Sequence, residues 1–228
     1  MLKLLRNRKT AKKIWIGLGI IILPAFIFWG FGGTMREKEE KNYAGKLPGK
    51  KISYSEFRES LSAVKVKNMA IMRYGENFGQ VFKESDLEAQ AWQRLALIYE
   101  AKKLKLKTSD KEVVERLESY PFFQHNGKFD NRLYNDILQY VFRTQPRVFE
   151  EQTRQNITIS KLFQRVTSGI TVDDQEVREG YTRINSAINP KFKFEEKKFL
   201  NEKQEFETMV LEEKKEEYFS KFTAGLLR

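Results

Sequence analysis

The chain of 228 residues contains no cysteine, only one histidine and only five prolines. The missing cysteine excludes disulfides, zinc–thiolate centres and cysteine nucleophiles together, and it fits a reducing or an oxidising compartment equally. With a single histidine, His125, a Ser-His-Asp site would have to be built around that residue, and nothing beside it resembles a nucleophile elbow. No HExxH pattern is present, and no GxxxxGK[ST] or GxGxxG, so metal hydrolysis and nucleotide binding have no motif to rest on. The expected catalytic, metal and cofactor residues are therefore none, and the chain is read as a non-enzyme. Carboxylate pairs such as Asp173-Asp174 and Glu195-Glu196 occur at helix starts or on charged helices, where they are dipole-favoured or solvated. "NIT" at Asn156 matches a glycosylation sequon, but it lies in the middle of a helical pattern.

Aromatic residues, in contrast, are plentiful at 13%, with 18 phenylalanines, which is ample material for a packed core. The net charge of +11 suggests a polyanion partner until its distribution is read. Residues 1–13 carry Lys3, Arg6, Arg8, Lys9, Lys12 and Lys13 with no acid, which leaves +5 on the remainder and no basic stripe with interleaved aromatics. Nucleic acid is not an expected partner.

"IWIGLGIIILPAFIFWGF", Ile14 to Phe31, is free of charge. As a helix rising about 1.5 Å per residue it would nearly cross a hydrocarbon core. Trp15, Phe28 and Trp29 stand near its ends, where amphipathic rings favour the interface. The basic block before it predicts a cytoplasmic N-terminus (residues 1–13), a transmembrane helix (14–31) and an exported remainder. A cleaved signal peptide is the competing reading, with Gly30 and Gly32 as small-residue positions, but the run is longer than a usual signal and Trp29 and Phe31 are bulky.

The exported part begins with a linker over 32–47, followed by a domain over 48–228. "YAGKLPGKKIS" reads as a short hairpin turning at Pro48-Gly49. Capping-box patterns at "SYSE" (53–56), "SDLE" (85–88) and "SDKE" (109–112) each predict a helix start. Thr144 with Pro146 opens a long helix, Thr171 caps another, and Pro121, Gly75 and Gly169 act as stops. "KFKFEEKKF" alternates like a strand before a final helix. In "YPFFQHNGKFDNRLYNDIL", Asn126-Gly127 predicts a tight turn and Asp130 an N-cap for the helix bearing Leu133, Tyr134, Ile137, Leu138 and Val141. The whole is mainly helical with minor strand content. Most Phe and Met belong in its core, while a minority could line an exposed groove able to adapt to varied apolar partners. Met69, Met72, Phe78, Phe82, Phe142 and Phe149 are the candidates.

The order of these pieces carries a resemblance. An anchor is followed by "GKLPGKKISYSEF", by "LALIYEAKKLKLKTSDKEVVERLESYPFFQHNGKFDNRLYNDIL", by "TQPRVFEEQTRQNITISKLFQ" and by "ITVDDQEVREGY". Over about residues 10–185 this resembles the SurA/PpiD family of bacterial periplasmic folding factors, in its membrane-anchored branch, with "LEEKKEEYFSKFTAGLLR" similar to the family's closing helix, about 203–228. Phe123, Gly127, Phe129, Asp130 and Tyr134 carry the most specific part of the likeness. The resemblance implies a helical chaperone domain facing the periplasm, with unfolded or newly exported polypeptides as clients, the export channel as a neighbour and no cofactor. Most members insert a parvulin prolyl-isomerase domain before the closing helix, whereas Asn189 to Lys203 leaves about fifteen residues here, far too few. The expectation is an ATP-independent holdase without isomerase activity. The alternative is a single-pass scaffold that binds one folded partner.

Overall fold

The computed structural model describes residues 43–74 and 83–227. The transmembrane helix expected over 14–31 and the two candidates Phe78 and Phe82 lie outside the described residues. Among those described, no helix is long and apolar enough to cross a membrane. The chain divides into two compact units, residues 1–55 and residues 56–228.

In the first unit, β1 (Tyr43–Leu47) pairs antiparallel with β2 (Lys50–Ser53), with Leu47 opposite Lys50 and Gly45 opposite Ile52. Proline presets φ at the first turn position, and Gly49 supplies the positive φ of +80° that the second demands. β1 starts at Tyr43, so the linker expected up to residue 47 ends five residues earlier.

The second unit is helical. Its elements are α1 (Tyr54–Tyr74), α2 (Glu84–Lys103), α3 (Asp110–Glu118), a 3₁₀ turn at Pro121–Phe123, the ribbon β3–β4 (Gln124–His125 and Lys128–Phe129), α4 (Asn131–Asp136), α5 (Pro146–Thr167), α6 (Asp174–Ile188) and α7 (Glu196–Leu226). α4 runs on into a π-helical turn, Ile137–Phe142, which ends on Arg143 in the left-handed region at φ +51°. Asn126 and Gly127, at φ +52° and +75°, make the two-residue β3–β4 turn, whose left-handed pair matches the strand twist.

Three apolar clusters hold the unit together. The first is aromatic. Phe123 is fully buried and meets the rings of Tyr120, Phe122, Phe129, Tyr134 and Phe149 nearly edge-on, the closest centroid being 4.5 Å away. Val66, Val113, Leu117, Ile137, Leu138 and Phe142 complete it. The second joins Leu97 and Ala101 of α2 to Leu162 of α5 and to Phe219, Phe222 and Leu226 of α7. The third centres on Tyr181 of α6, which α7 covers with Phe199 and Phe206.

Several sequence expectations are corrected. α2 does not start at a Ser85 cap: its N-cap is Lys83, without a side-chain bond, and the Ser85 hydroxyl turns to Asp86. α5 is capped by Gln145 rather than Thr144, whose amide instead donates to Leu138 and closes the π turn. α6 is capped by Asp173, two residues past Thr171, in a reciprocal box with Glu176. "KFKFEEKKF" forms no strand. No sheet edge lies beside it among the described residues, and Phe192, Phe194 and Phe199 turn together onto Tyr181. α7 consequently begins at Glu196, seven residues before the expected position.

Candidate functional site: an apolar groove between three helices

α1 repeats apolar or small residues at helical spacing, with Ala63, Val64, Ala70, Ile71 and Tyr74 on one side and Lys67 among them. α2 contributes Gln90, Gln93, Arg94 and Leu97, and α5 contributes Phe149, Gln152, Thr153, Asn156, Ile157 and Ser160 at the same periodicity. These three faces enclose a cavity of about 910 Å³. Ser60 Oγ donates to the carbonyl of Ala91 at 2.8 Å and Asn68 to Gln90 at 3.1 Å, which fixes α1 on α2. Arg94 reaches across to α5, so the walls are tied by polar bonds rather than collapsed onto one another.

One end of the groove is aromatic. Tyr74, Phe122 and Tyr120 form a continuous stack, with centroids 4.7 and 5.1 Å apart and planes tilted by only 17°. Pro121 fixes the chain there, so the rings sit on a stiff turn. At the other end Ile159 and Ser160 also line a second hollow of about 620 Å³ bounded by Phe163, Ile170 and Leu211.

The polar residues of the groove stand mainly on α2 and α5, and one of them is unusual. The Arg94 guanidinium is 7% exposed, and its partners are all neutral: Gln155 Oε1 at 2.8 Å, and the Gln152 carbonyl and Asn156 Oδ1, both at 3.3 Å. Burial lowers its pKa to about 10, partly offset by Glu151, so it is charged at neutral pH. Gln152 is 8% exposed, and its Oε1 has no hydrogen-bond partner among the described residues. Among the described residues no group of acidic or histidine side chains could hold a metal ion. His125 lies exposed on β3, next to the turn. The arrangement suits apolar capture and offers no nucleophile–base pair.

The candidates read from sequence scatter. Phe149 lies in the groove wall, although it is only 7% exposed. Phe142, at 4% exposure, is a correction: its ring stacks on Phe149 at 5.7 Å and is used up in the aromatic cluster. Met69 is exposed on α1 and Met72 half-buried, yet neither lines the groove. The structural signature residues do assemble. Phe123, Phe129 and Tyr134 meet in the first cluster, Gly127 makes the turn, and Asp130 Oδ1 accepts the amides of Arg132 and Leu133 at 2.8 and 3.0 Å. Sequence reasoning missed Ala70, Ile71, Tyr74, Arg94 and Ile157. The signal for them was the 3–4 spacing along α1 and a single arginine within the apolar stretch of α2.

Comparison with known proteins fits this geometry. The chain is 29% identical over 174 residues to the periplasmic chaperone PpiD of Escherichia coli (strain K12), which covers 73% of this chain and 27% of that protein. It is 26% identical over 200 residues to the foldase protein PrsA of Clostridium botulinum (strain Hall), covering 80% of this chain and 57% of that protein. The chain thus spans about a quarter and just over half of these relatives. No solved structure matches it. The family described as SurA-like N-terminal domain matches residues 1–163, most of the chain, and the protein belongs to that family.

Proposed function

We propose that this chain is an ATP-independent holdase, anchored in the bacterial inner membrane through Ile14–Phe31 with its bulk in the periplasm. It holds unfolded or newly exported polypeptides as they leave the export channel. The observation that carries this reading is the 910 Å³ groove, lined by apolar residues of α1 and α5 and by an aromatic end, and stiffened by polar ties between its walls. That volume is at the upper end for a small-molecule site, and the adjoining hollow extends it along α5, which suits a length of polypeptide. Apolar side chains entering it gain about 25 cal/mol per Å² removed from water, without demanding a particular sequence. Tethering keeps the groove concentrated where clients emerge, so weak contacts suffice. The names of the relatives, a periplasmic chaperone and a foldase, support the same reading.

Prolyl isomerisation is not part of the proposal. Only Asn189–Glu195 separate α6 from α7, where family members carry their isomerase domain.

The test is suppression of aggregation. The full chain in detergent micelles, mixed stoichiometrically with an unrelated denatured enzyme diluted from denaturant, should hold that enzyme soluble. Ala70→Trp, which fills the groove, should remove most of the effect while the helical circular dichroism and melting temperature stay near wild type. A wild-type chain that leaves aggregation unchanged would overturn the holdase reading in favour of a single-pass scaffold. That alternative draws on Ile188, Leu200, Met209 and Tyr218, which stand 45–79% exposed along α6 and α7.

A further inference from the structure

Three cations line the groove, Lys67, Arg94 and Arg116, and no carboxylate does. Lys67 and Arg116 are exposed at its rim, whereas Arg94 is nine-tenths buried in the wall. A buried guanidinium normally has a carboxylate against it, because removing an unpaired charge from water costs several kcal/mol. Arg94 makes no ion pair among the described residues. The acid that acts on it is Glu151, whose two oxygens are engaged elsewhere, Oε2 by Arg154 at 3.2 Å and Oε1 by the Gln155 amide at 3.2 Å. Gln155 stands between them, accepting from Arg94 and donating to Glu151, so Glu151 acts on the guanidinium only through space and no carboxylate touches it. Three of the five N–H groups of Arg94 are used, and two donate to nothing among the described residues.

We infer that the groove selects apolar polypeptide segments that carry a carboxylate, and that Arg94 is the residue that receives it. This deepens the holdase reading and rests on it. The apolar walls supply general affinity, and the unpaired cations add a preference within that class. A carboxylate arriving at Arg94 forms its hydrogen bonds in a water-poor wall, where a charge-assisted bond is stronger than at an open surface. A neutral segment of the same shape gains only the apolar contacts and leaves the guanidinium without a carboxylate in direct contact. The carboxylate can come from an acidic side chain or from a free chain terminus, since the recognising chemistry is shared.

Fluorescence anisotropy on the full chain in detergent micelles tests this with short labelled peptides of leucine, phenylalanine and alanine. One series carries a central glutamate or its isostere glutamine, each with an amidated C-terminus. A second carries glutamine with a free or an amidated C-terminus. The glutamate peptide should bind about tenfold more tightly than its glutamine twin if the side chain is the source, and the free terminus should win by a similar factor if the terminus is. In Arg94→Gln the preference, read as the ratio of the two affinities and not as either affinity alone, should collapse toward one. Arg94→Lys, which keeps the charge with fewer donors, should retain part of it. Should Arg94→Gln fail to fold, the wild-type ratios and Arg94→Lys still decide. Equal binding of all three peptides, with binding lost in Ala70→Trp, would overturn the carboxylate preference and leave the groove reading standing. A preference that survives intact in folded Arg94→Gln would overturn the assignment to Arg94. No binding of any peptide would overturn both readings together.

Discussion

Glu112 does two jobs with one carboxylate. Oε2 accepts from the Ser109 amide and hydroxyl, both at 2.9 Å, and so closes the capping box of α3, while Oε1 pairs with Lys161 of α5 at 2.5 Å. The Lys161 contact, followed by the Ser109 bonds, holds its pKa at about 2, well below the ordinary 4.5. A depressed carboxylate stabilises the fold above its unfolded pKa and loses that contribution as pH falls through the folded one. Glu112→Gln should therefore melt a few degrees below wild type at neutral pH, about 2–4 °C. That gap should close as the pH is lowered from 4.5 toward 2. A gap that stays constant across this range in thermal melts would rule out the charged contact as its cause. Both this cap and that of Asp130 were legible in the sequence because their partners lie within three residues. Ser85 shows the limit of such reading, since the same pattern begins within the first turn of a helix whose N-cap lies two residues earlier.

At the scale of elements, the α6–α7 pair depends on one small residue. A Cβ at Gly180 would overlap Cγ2 of Val210, a β-branched side chain with little freedom to turn aside. The close approach also brings Arg178 within reach of Glu196, with two parallel bonds of 2.7 Å, and sets its guanidinium 4.6 Å from the centre of the Phe199 ring. Gly180→Ala should destabilise the second unit by about 1–3 kcal/mol, measured by denaturant unfolding. An unchanged midpoint would show that the two helices slide apart freely. Helix periodicity found α6 and α7, but alternation misplaced their junction. A strand needs a neighbouring edge, which pattern alone does not supply, and the Tyr181 ring offered the phenylalanines a better burial. α2 packs on both α5 and α7, so its apolar residues do not keep to one stripe and give pattern reading no single face to find.

Across the whole second unit, long helices span the clusters. α5 gives Phe149 and Ile157 to the aromatic cluster and Leu162 to the next, and α7 gives Phe222 to that one and Phe206 to the third. The three clusters should therefore melt as one. Phe123→Ala removes the hub of the first, at a cost of about 3–5 kcal/mol, and should lower the near- and far-ultraviolet circular dichroism transitions together. Two separated transitions would show that the clusters are independent. The groove was only half legible. The stripe on α1 could be read, but an apolar face looks the same in sequence whether a neighbour covers it or a cavity opens before it. Phe142 and Phe149 illustrate this, seven residues apart and in ring contact, with only the second at the groove wall.

The distribution of partners along the chain has a temporal consequence. Every member of the aromatic cluster lies between Val66 and Ile157, whereas Leu97 and Ala101 must wait for Phe219, Phe222 and Leu226. Loop-closure entropy makes short-range pairings form first, and synthesis from the N-terminus makes them available in that order. The aromatic hub and all three walls of the groove are thus available before α7 emerges. A chain of this design has its groove walls in hand while its own last helix is still to come.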